Sequence, residues 1–561
     1  MTAPQHPSTW PVVTTTREYL ARDRVVERLW NKDHTLWKSD PTEITNRLGW
    51  LVVIDQMKAR AADLHAFATT VKKAGTKDVV LLGMGGSSLG PEVLRASFGS
   101  TRGYPRLWVL DSTVPGWVRQ VTKAIDPTAT LFIVASKSGG TIEVMSLFNH
   151  FWELVHRTAG PRTGGRFIAI TDPGTGLETL AAERQFWRIF SNPPDIGGRY
   201  SVLSYFGLVP AALVGIDVAR LLERAGAMAN ACRLHPPLDE NPGVELGATM
   251  GTLAKAGRDK VTLIASNQVK TFGLWAEQLL AESTGKAGTG LVPVADEPIA
   301  TPTAYGQDRL FVYLRLKGDR NGTLDRQVAA LAQNGHPVVI VQLKDRYDLG
   351  AEFFRWEFAT SVASHVLGIH PFDQPNVQES KDNTTRVLGE VQMTGHLPNL
   401  VSLSPSQAAK QLMSDLRPGA YVGILAYTTP SSKVESAIRA VRKALVARGV
   451  TTTAGYGPRY LHSTGQLHKG GPKTGLFLEL IDNMTPDLSI PGKPFTFGTL
   501  AKAQATGDLQ SLQAHDRQVV MVRLGKNQAA VIQAIAASLA PAAKPRKPAS
   551  TFRRRIARRH R

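Results

Sequence analysis

The sequence predicts an α/β protein made of tandem doubly wound parallel sheets, with an additional α/β region toward the C-terminus. Three observations carry that expectation. Short apolar runs recur at 79–82, 107–110, 131–135, 167–170 and 186–190, with helical stretches at 142–156 and 176–183 between them. The alternation returns between about 245 and 385, with strands expected at 261–265, 310–314 and 337–341. A third set follows at 421–427, 476–481 and 519–522, with an amphipathic helix over 431–447. Strand–helix alternation at this spacing reads as parallel βαβ units. Such sheets bind ligands at the carboxyl ends of their strands.

The chain has 561 residues, more than one hydrophobic core accommodates. We divide it into a helical arm (1–60), a first domain (61–240), a second (241–390), the C-terminal α/β region (391–535) and a basic tail (536–561). The hydrophobic share of 42% is ordinary for a globular protein, and no apolar run has the length of a membrane span. The opening residues are polar and lack the apolar core of a signal peptide. A single cysteine, Cys232, excludes an internal disulfide framework and a cysteine zinc cluster. These features point to the cytoplasm. The net charge is +20, but the last 18 residues alone carry nine Lys or Arg and no acid. That tail reads as disordered, able to touch nucleic acid or acidic surfaces non-specifically. The remaining excess of about +11 suits an anionic substrate.

Taken in order, the arm carries expected helices at 21–30 and 44–58 and several tryptophans, a composition for packing against the first domain. Next comes Val79 to Gly90. Four apolar residues form a strand, Gly83-Met84-Gly85-Gly86-Ser87-Ser88 turns the chain, and a helix follows. Unpaired N–H groups at a helix N-terminus attract anions, and two serines add donors. The dinucleotide fingerprint fails because Ser88 stands where its last glycine belongs, although Asp111 could mimic a ribose-binding acid. The nucleoside triphosphate loop fails for want of a lysine. A smaller phosphorylated ligand remains.

A second loop, Ser136-Lys137-Ser138-Gly139-Gly140-Thr141, again lies between strand and helix. Helix capping by Ser138 or Thr141 explains one hydroxyl; a phosphomonoester explains the cluster, with Lys137 or a neighbour adding charge. Arg199 follows Gly197-Gly198 and precedes a long apolar helix, a placement suited to a developing oxyanion. In the expected helix after Lys270, Phe272, Trp275, Ala276, Leu279 and Leu280 form one stripe. Glu282 falls beside it one turn past Gln278, and Glu277 on the far side. Partial desolvation would raise Glu282 toward the range of a base; pairing with Lys286 is the plainer alternative. Gln374 and Lys381 lie two turns apart in a further segment where prolines fix the entry to a helix.

Together these segments resemble phosphoglucose isomerase, with its tandem sugar-isomerase (SIS, flavodoxin-like) folds. The resemblance rests on five ordered motifs: 83–90, 136–141, 197–201, 278–286 and 371–381. The region after 400, including His462 to Gly475, looks like the isomerase half of bacterial transaldolase–phosphoglucose isomerase fusions, although there is no room for the transaldolase barrel before residue 79. The resemblance implies interconversion of glucose 6-phosphate and fructose 6-phosphate through a cis-enediol, without metal or organic cofactor, in glycolysis and gluconeogenesis. It implies phosphate binding by Ser87, Ser136, Ser138 and Thr141, with Gly86 and Lys137 in the same loops. Glu282 matches the base, Arg199 the residue facing the enediolate, and Lys381 the lysine that assists ring opening. Gln278 and Gln374 match substrate contacts. A homodimer with shared sites is also implied. The family's ring-opening histidine position holds Thr303 here, so His370 or His468 becomes the substitute, or Lys381 acts with water. Asn376 and Val144 also depart from the family pattern, and they leave room for another phosphosugar such as mannose 6-phosphate. A phosphosugar-binding protein without catalysis and a tail-driven RNA-binding role are the other readings.

Overall fold

The computed structural model describes residues 10–233 and 240–540. The expected tail falls mostly outside them; the helix Gln528–Leu539 runs across position 536. No helix among the described residues is long and apolar enough to cross a membrane.

Three parallel sheets organise the described residues. The first contains β1 (Asp78–Gly83), β2 (Arg106–Leu110), β3 (Thr130–Ala135), β4 (Phe167–Thr171) and β5 (Arg188–Ser191), in the order β2-β1-β3-β4-β5. β1, β3 and β4 are buried along their whole length, which is why they read as unbroken apolar runs. The second holds β6 (Lys260–Ala265), β7 (Val292–Ala295), β8 (Arg309–Leu316) and β9 (Val338–Leu343), ordered β7-β6-β8-β9. The third holds β10 (Tyr421–Tyr427), β11 (Thr451–Tyr456), β12 (Gly475–Ile481) and β13 (Gln518–Arg523), ordered β11-β10-β12-β13. In each sheet the order reverses beside the first strand. That switch point opens a crevice at the strands' carboxyl ends.

The first two sheets share one core with the arm. Trp50 stacks on Tyr200 and tilts against Phe354, while the Trp37 indole donates to the Ser361 carbonyl at 3.1 Å. The arm therefore fills the seam beside the long helix Asp348–Leu367 rather than packing on the first domain alone. Two of its expected helices are broken. Arg24 takes a left-handed φ of 54° between the helices Pro11–Arg22 and Val25–Trp30. Over 44–58 only Val53–Lys58 is α-helical. Upstream, Leu48 forms a bridge with Ile196 and the Gly49 N–H donates to the Asp195 carbonyl at 2.8 Å, so the backbone there serves the turn that leads to Arg199.

The third domain packs on both others. Tyr427, Tyr460 and Leu467 bury against Ala281 and β7, while Phe497, Leu500 and Ala503 cover the outer face of the first sheet. The helix Phe272–Thr284 is consequently buried at every position but Leu274, Glu277 as well as Glu282.

Candidate active site

The two glycine–serine loops converge because their strands are neighbours in register, Gly83 lying opposite Ala135. The first makes a 3-10 turn, Gly85–Ser87, ahead of the helix Leu89–Phe98. In the second, Thr141 holds the N-cap position of the helix Ile142–Ala159, yet its side chain does not cap. Its hydroxyl lies 3.0 Å from Ser136 Oγ instead. The amides of Ser138, Gly140 and Thr141 have no acceptor among the described residues. Two hydroxyls and several free N–H groups thus share one helix terminus, and Ser138 is exposed there. Lys137 does not join them. Its ammonium pairs with Asp172 after β4 and donates to the Pro194 carbonyl at 3.0 Å. The free N–H groups at this helix terminus supply positive potential of their own.

Asp111 is not a ribose acid either. It accepts from Ser88 Oγ at 2.9 Å and from Nε and Nη2 of Arg459 at 2.7 and 2.8 Å, pinning the third domain onto the first loop. Two glycines there answer to close approach. A Cβ on Gly86 would stand 2.0 Å from the Gly198 carbonyl oxygen. One on Gly85, whose φ is +54°, would stand 2.7 Å from the His462 carbonyl and 3.0 Å from Gln278 Nε2.

Those contacts bring in the base helix. Gln278 Nε2 donates to Glu282 Oε2 at 3.0 Å and to the His462 carbonyl at 2.8 Å. Gln278 Oε1 is buried with no partner among the described residues. Arg199, 2% exposed, lies 3.4 Å from Glu282 Oε1. Its guanidinium is fixed by Ser283 Oγ (2.8 Å), Gln374 Oε1 (2.8 Å) and the carbonyls of Pro371 (2.6 Å) and Asp373 (3.0 Å). Lys286 does not pair with Glu282; it donates to the His370 carbonyl and to Asp373, both at 2.5 Å, and so steadies the 370–374 turn. Burial works against ionisation of Asp373, but Lys286 outweighs it and holds the carboxyl below its usual range.

Gln374 precedes the helix Pro375–Thr394, which carries the exposed Lys381. Gln374, Lys381 and Glu43 line one hollow of about 250 Å³. The structure thus gathers Gly86, Ser87, Ser136, Ser138 and Thr141 at the first sheet, and Arg199, Gln278, Glu282 and Gln374 beside them. Lys381 lies within electrostatic reach of Glu143.

Glu143 and His462 are not singled out by the sequence reading. Glu143 Oε1 accepts from His462 Nε2 at 2.8 Å and from Gln504 Nε2 at 2.7 Å. Burial opposes its ionisation, yet the charge and hydrogen bond of His462, with Lys381 beyond, bring its pKa below the usual value. Glu143 sits two residues past Thr141, and His462 opens the glycine-rich 462–475 stretch, so position within known motifs was the only available signal. The expected histidines lie elsewhere. His468 is buried against Phe477 and Tyr460, and burial drives its pKa far down. His370 spends Nδ1 on the Phe372 N–H (3.1 Å) and Nε2 on the Thr42 carbonyl (3.2 Å); burial lowers it to about 4. Thr303 is exposed in the 3-10 turn Pro302–Ala304.

Tandem parallel sheets, the first of which brings its switch-point loops beside a buried carboxylate and a fixed guanidinium, define an α/β protein of the sugar-isomerase class. Within that class the chain belongs to the phosphoglucose isomerase family, whose model matches residues 20–306. A glucose-6-phosphate isomerase of Rubrobacter xylanophilus is 31% identical over 376 residues, 57% of this chain and 85% of the relative. One of Carboxydothermus hydrogenoformans is 28% identical, over 56% of this chain and 79% of its own length. A crystal structure of glucose-6-phosphate isomerase from Chlamydia trachomatis superposes with a TM-score of 0.58 at 17% identity, covering 72% of this chain and 89% of that one. A Thermus thermophilus structure described as a hypothetical protein gives 0.58 at 24% identity, covering 66% and 96%. These two speak to the fold.

Proposed function

We propose that the chain is a glucose-6-phosphate isomerase, moving a proton between C2 of glucose 6-phosphate and C1 of fructose 6-phosphate through an enediolate. One observation carries the reading. Glu282 faces a guanidinium that four other hydrogen bonds hold still, and Gln278, which fixes Glu282, rests on Gly85 of the phosphate loop. The curated relatives bear the same activity in their names. Ser87, Ser136, Ser138, Thr141 and the loop amides bind the phosphate. Glu282 takes the proton next to the carbonyl and returns it to the adjacent carbon. The charge that develops on oxygen meets Arg199, already oriented, and preorganised donors of this kind contribute about 3–4 kcal/mol to the barrier. The buried, unpartnered Gln278 Oε1 accepts from a sugar hydroxyl. Gln374 keeps its amide nitrogen for a second contact, and Lys381 assists at the ring.

We place this reaction in the cytoplasm, where its phosphorylated substrates occur, and read the region after 400 as akin to the isomerase half of the transaldolase fusions. The test is a coupled assay with fructose 6-phosphate on wild type and Glu282→Gln, beside a binding measurement. Turnover in the first and near-total loss in the second, with binding kept, supports the reading. Equal rates sink the assignment of Glu282. Binding without turnover by the wild type favours the non-catalytic reading, and an arm with mannose 6-phosphate sets the specificity.

A further inference from the structure

We propose that a cavity of about 590 Å³ between the second and third domains, behind the helix that carries Glu282, is a binding site for a nucleoside phosphate. None of Ser136, Ser138, Thr141, Arg199, Glu282 and Gln374 lines it, so it is separate from the candidate active site. One wall is the helix Phe272–Thr284, from Lys270 and Thr271 at its entry to Glu277. Lys270 and Glu277 are seven positions apart, hence on one face and about 10 Å apart along the axis. The facing wall is the helix Ser432–Val446. Arg442 on that helix fastens the inner end. Its guanidinium donates to the carbonyls of Ala295 (2.8 Å), Asp296 (3.0 Å) and Thr452 (3.0 Å), and its charge acts on Glu277. Glu277 and Arg442 thus meet at one end of the cavity, and both helices turn their N-termini toward the other, the mouth.

The inner part is neutral and holds unused hydrogen-bonding groups. β11 is an edge strand. Its Gly457 N–H turns inward to the Ala426 carbonyl, whereas Thr452 turns outward, its N–H to Glu297 at 2.7 Å and its carbonyl to Arg442. Alternation sets the N–H and carbonyl of Ala454 on the same open edge, and Ala454 lines the cavity. A donor beside an acceptor on a strand edge matches the neighbouring acceptor and donor on the edge of a nucleobase. Glu277 is 7% exposed; one carboxyl oxygen accepts from the Ala295 N–H at 3.2 Å and the other has no partner among the described residues. Burial raises its pKa to about 8, so at neutral pH it donates. His468, 3% exposed, is kept neutral by burial, and its Nδ1 has no partner among the described residues. Leu89 and Leu274 supply apolar wall for a flat heterocycle. At the mouth most charges are spent: Arg459 on Asp111, Glu92 on Arg95, and Arg439 faces Asp296 at 3.5 Å. Lys270 and Glu435 are exposed and have no partner among the described residues. Lys270 stands with the Thr271 hydroxyl at one helix N-terminus and Ser432 opens the other, a set that suits a phosphate. Glu435 acts electrostatically on Tyr456, two positions past Ala454, and so lies between the strand edge and the mouth, where it accepts from ribose hydroxyls. The volume lies within the range of small-molecule sites.

The experiment titrates the full chain with ADP, GDP, adenosine and inorganic phosphate by calorimetry, as wild type, Lys270→Ala and Glu435→Ala. Both positions are exposed, and thermal melting establishes that the variants are folded. The expected result is saturable binding of a nucleoside diphosphate, tighter than phosphate alone by about tenfold or more. ADP against GDP shows which base the strand edge takes, and binding of either supports the site. Lys270→Ala should weaken the diphosphate by about tenfold and leave adenosine within about twofold, because the ammonium meets only phosphate. Glu435→Ala should weaken both, by about fivefold or more, because the ribose is common to them. Three results overturn the proposal: no saturable binding of either diphosphate by the wild type, a diphosphate bound no more tightly than phosphate, or variants that bind as the wild type does. In the last case, displacement by fructose 6-phosphate would put the nucleotide in the glycine–serine loops instead. Binding is read without turnover, so loss of this site leaves the isomerase assignment untouched.

Discussion

Replacing Gly86 with alanine adds one methyl group and no polar atom, yet the structure assigns it a large effect. The new Cβ would stand 2.0 Å from the Gly198 oxygen and 2.3 Å from its carbonyl carbon, both backbone atoms that no rotamer change can remove. Restoring an ordinary carbon contact requires the two turns to part by roughly 1.5 Å. Gly198 immediately precedes Arg199, whose guanidinium is 3.4 Å from Glu282. The displacement therefore moves either Ser87 relative to the second loop or Arg199 relative to Glu282. A misplacement of about 1 Å costs on the order of 100-fold in rate. We expect kcat/KM to fall by about that factor, or roughly 2.7 kcal/mol. Overpacking should also lower stability by about 1–3 kcal/mol. The assay is steady-state kinetics in both directions, with thermal melting to establish that the variant is folded. A folded Gly86→Ala enzyme with kcat/KM within about threefold of wild type refutes the reasoning.

Other expectations follow from single contacts. Ser136→Ala removes a hydroxyl beside Thr141 and should raise KM by roughly 5–30-fold with kcat little changed, read by the same assay. Arg199→Lys supplies three donors where four acceptors wait, and should lower kcat by about 100–1000-fold with a smaller effect on KM. Burial raises the Glu277 carboxyl to about 8, with Arg442 opposing. The native state then holds a proton that the unfolded chain releases near its ordinary value of 4.5, so this group's stabilisation declines as pH rises from 4.5 through 8. Glu277→Gln should flatten that decline by a few kcal/mol in denaturant titrations between about pH 5 and 8.5. Parallel curves for the two proteins would count against it.

Most strands are legible because burial on both faces writes them as apolar runs. The two unforeseen ones, β7 and β11, are edge strands. β7 reads Val-Pro-Val-Ala, and a proline is tolerated only at an edge; β11 opens with three threonines. The broken helix over 44–58 was hidden because its geometry is set by pairing with Ile196, far along the chain. The site divides in the same way. Loop residues and Glu282 stand in local motifs whose spacing survives in sequence. The Lys137–Asp172 pair and the His462–Glu143 bond, which spans 319 positions, join elements that only the packing of domains brings together.

The bond between Gln504 and Glu143 has a consequence in time. A chain under synthesis emerges N-terminus first, at about 5–20 residues per second. From the exit of Glu282 to that of Gln504 about 220 residues must be added, roughly 10–45 s. Throughout that interval the nascent chain carries Glu282 and both glycine–serine loops but neither His462 nor Gln504, the two donors to Glu143. A chain stopped there lacks the third sheet, the Arg459 lock on Asp111 and the Gln504 donor to Glu143. The contacts that fix Glu143 are completed nearly last, with the helix Phe497–Ala514.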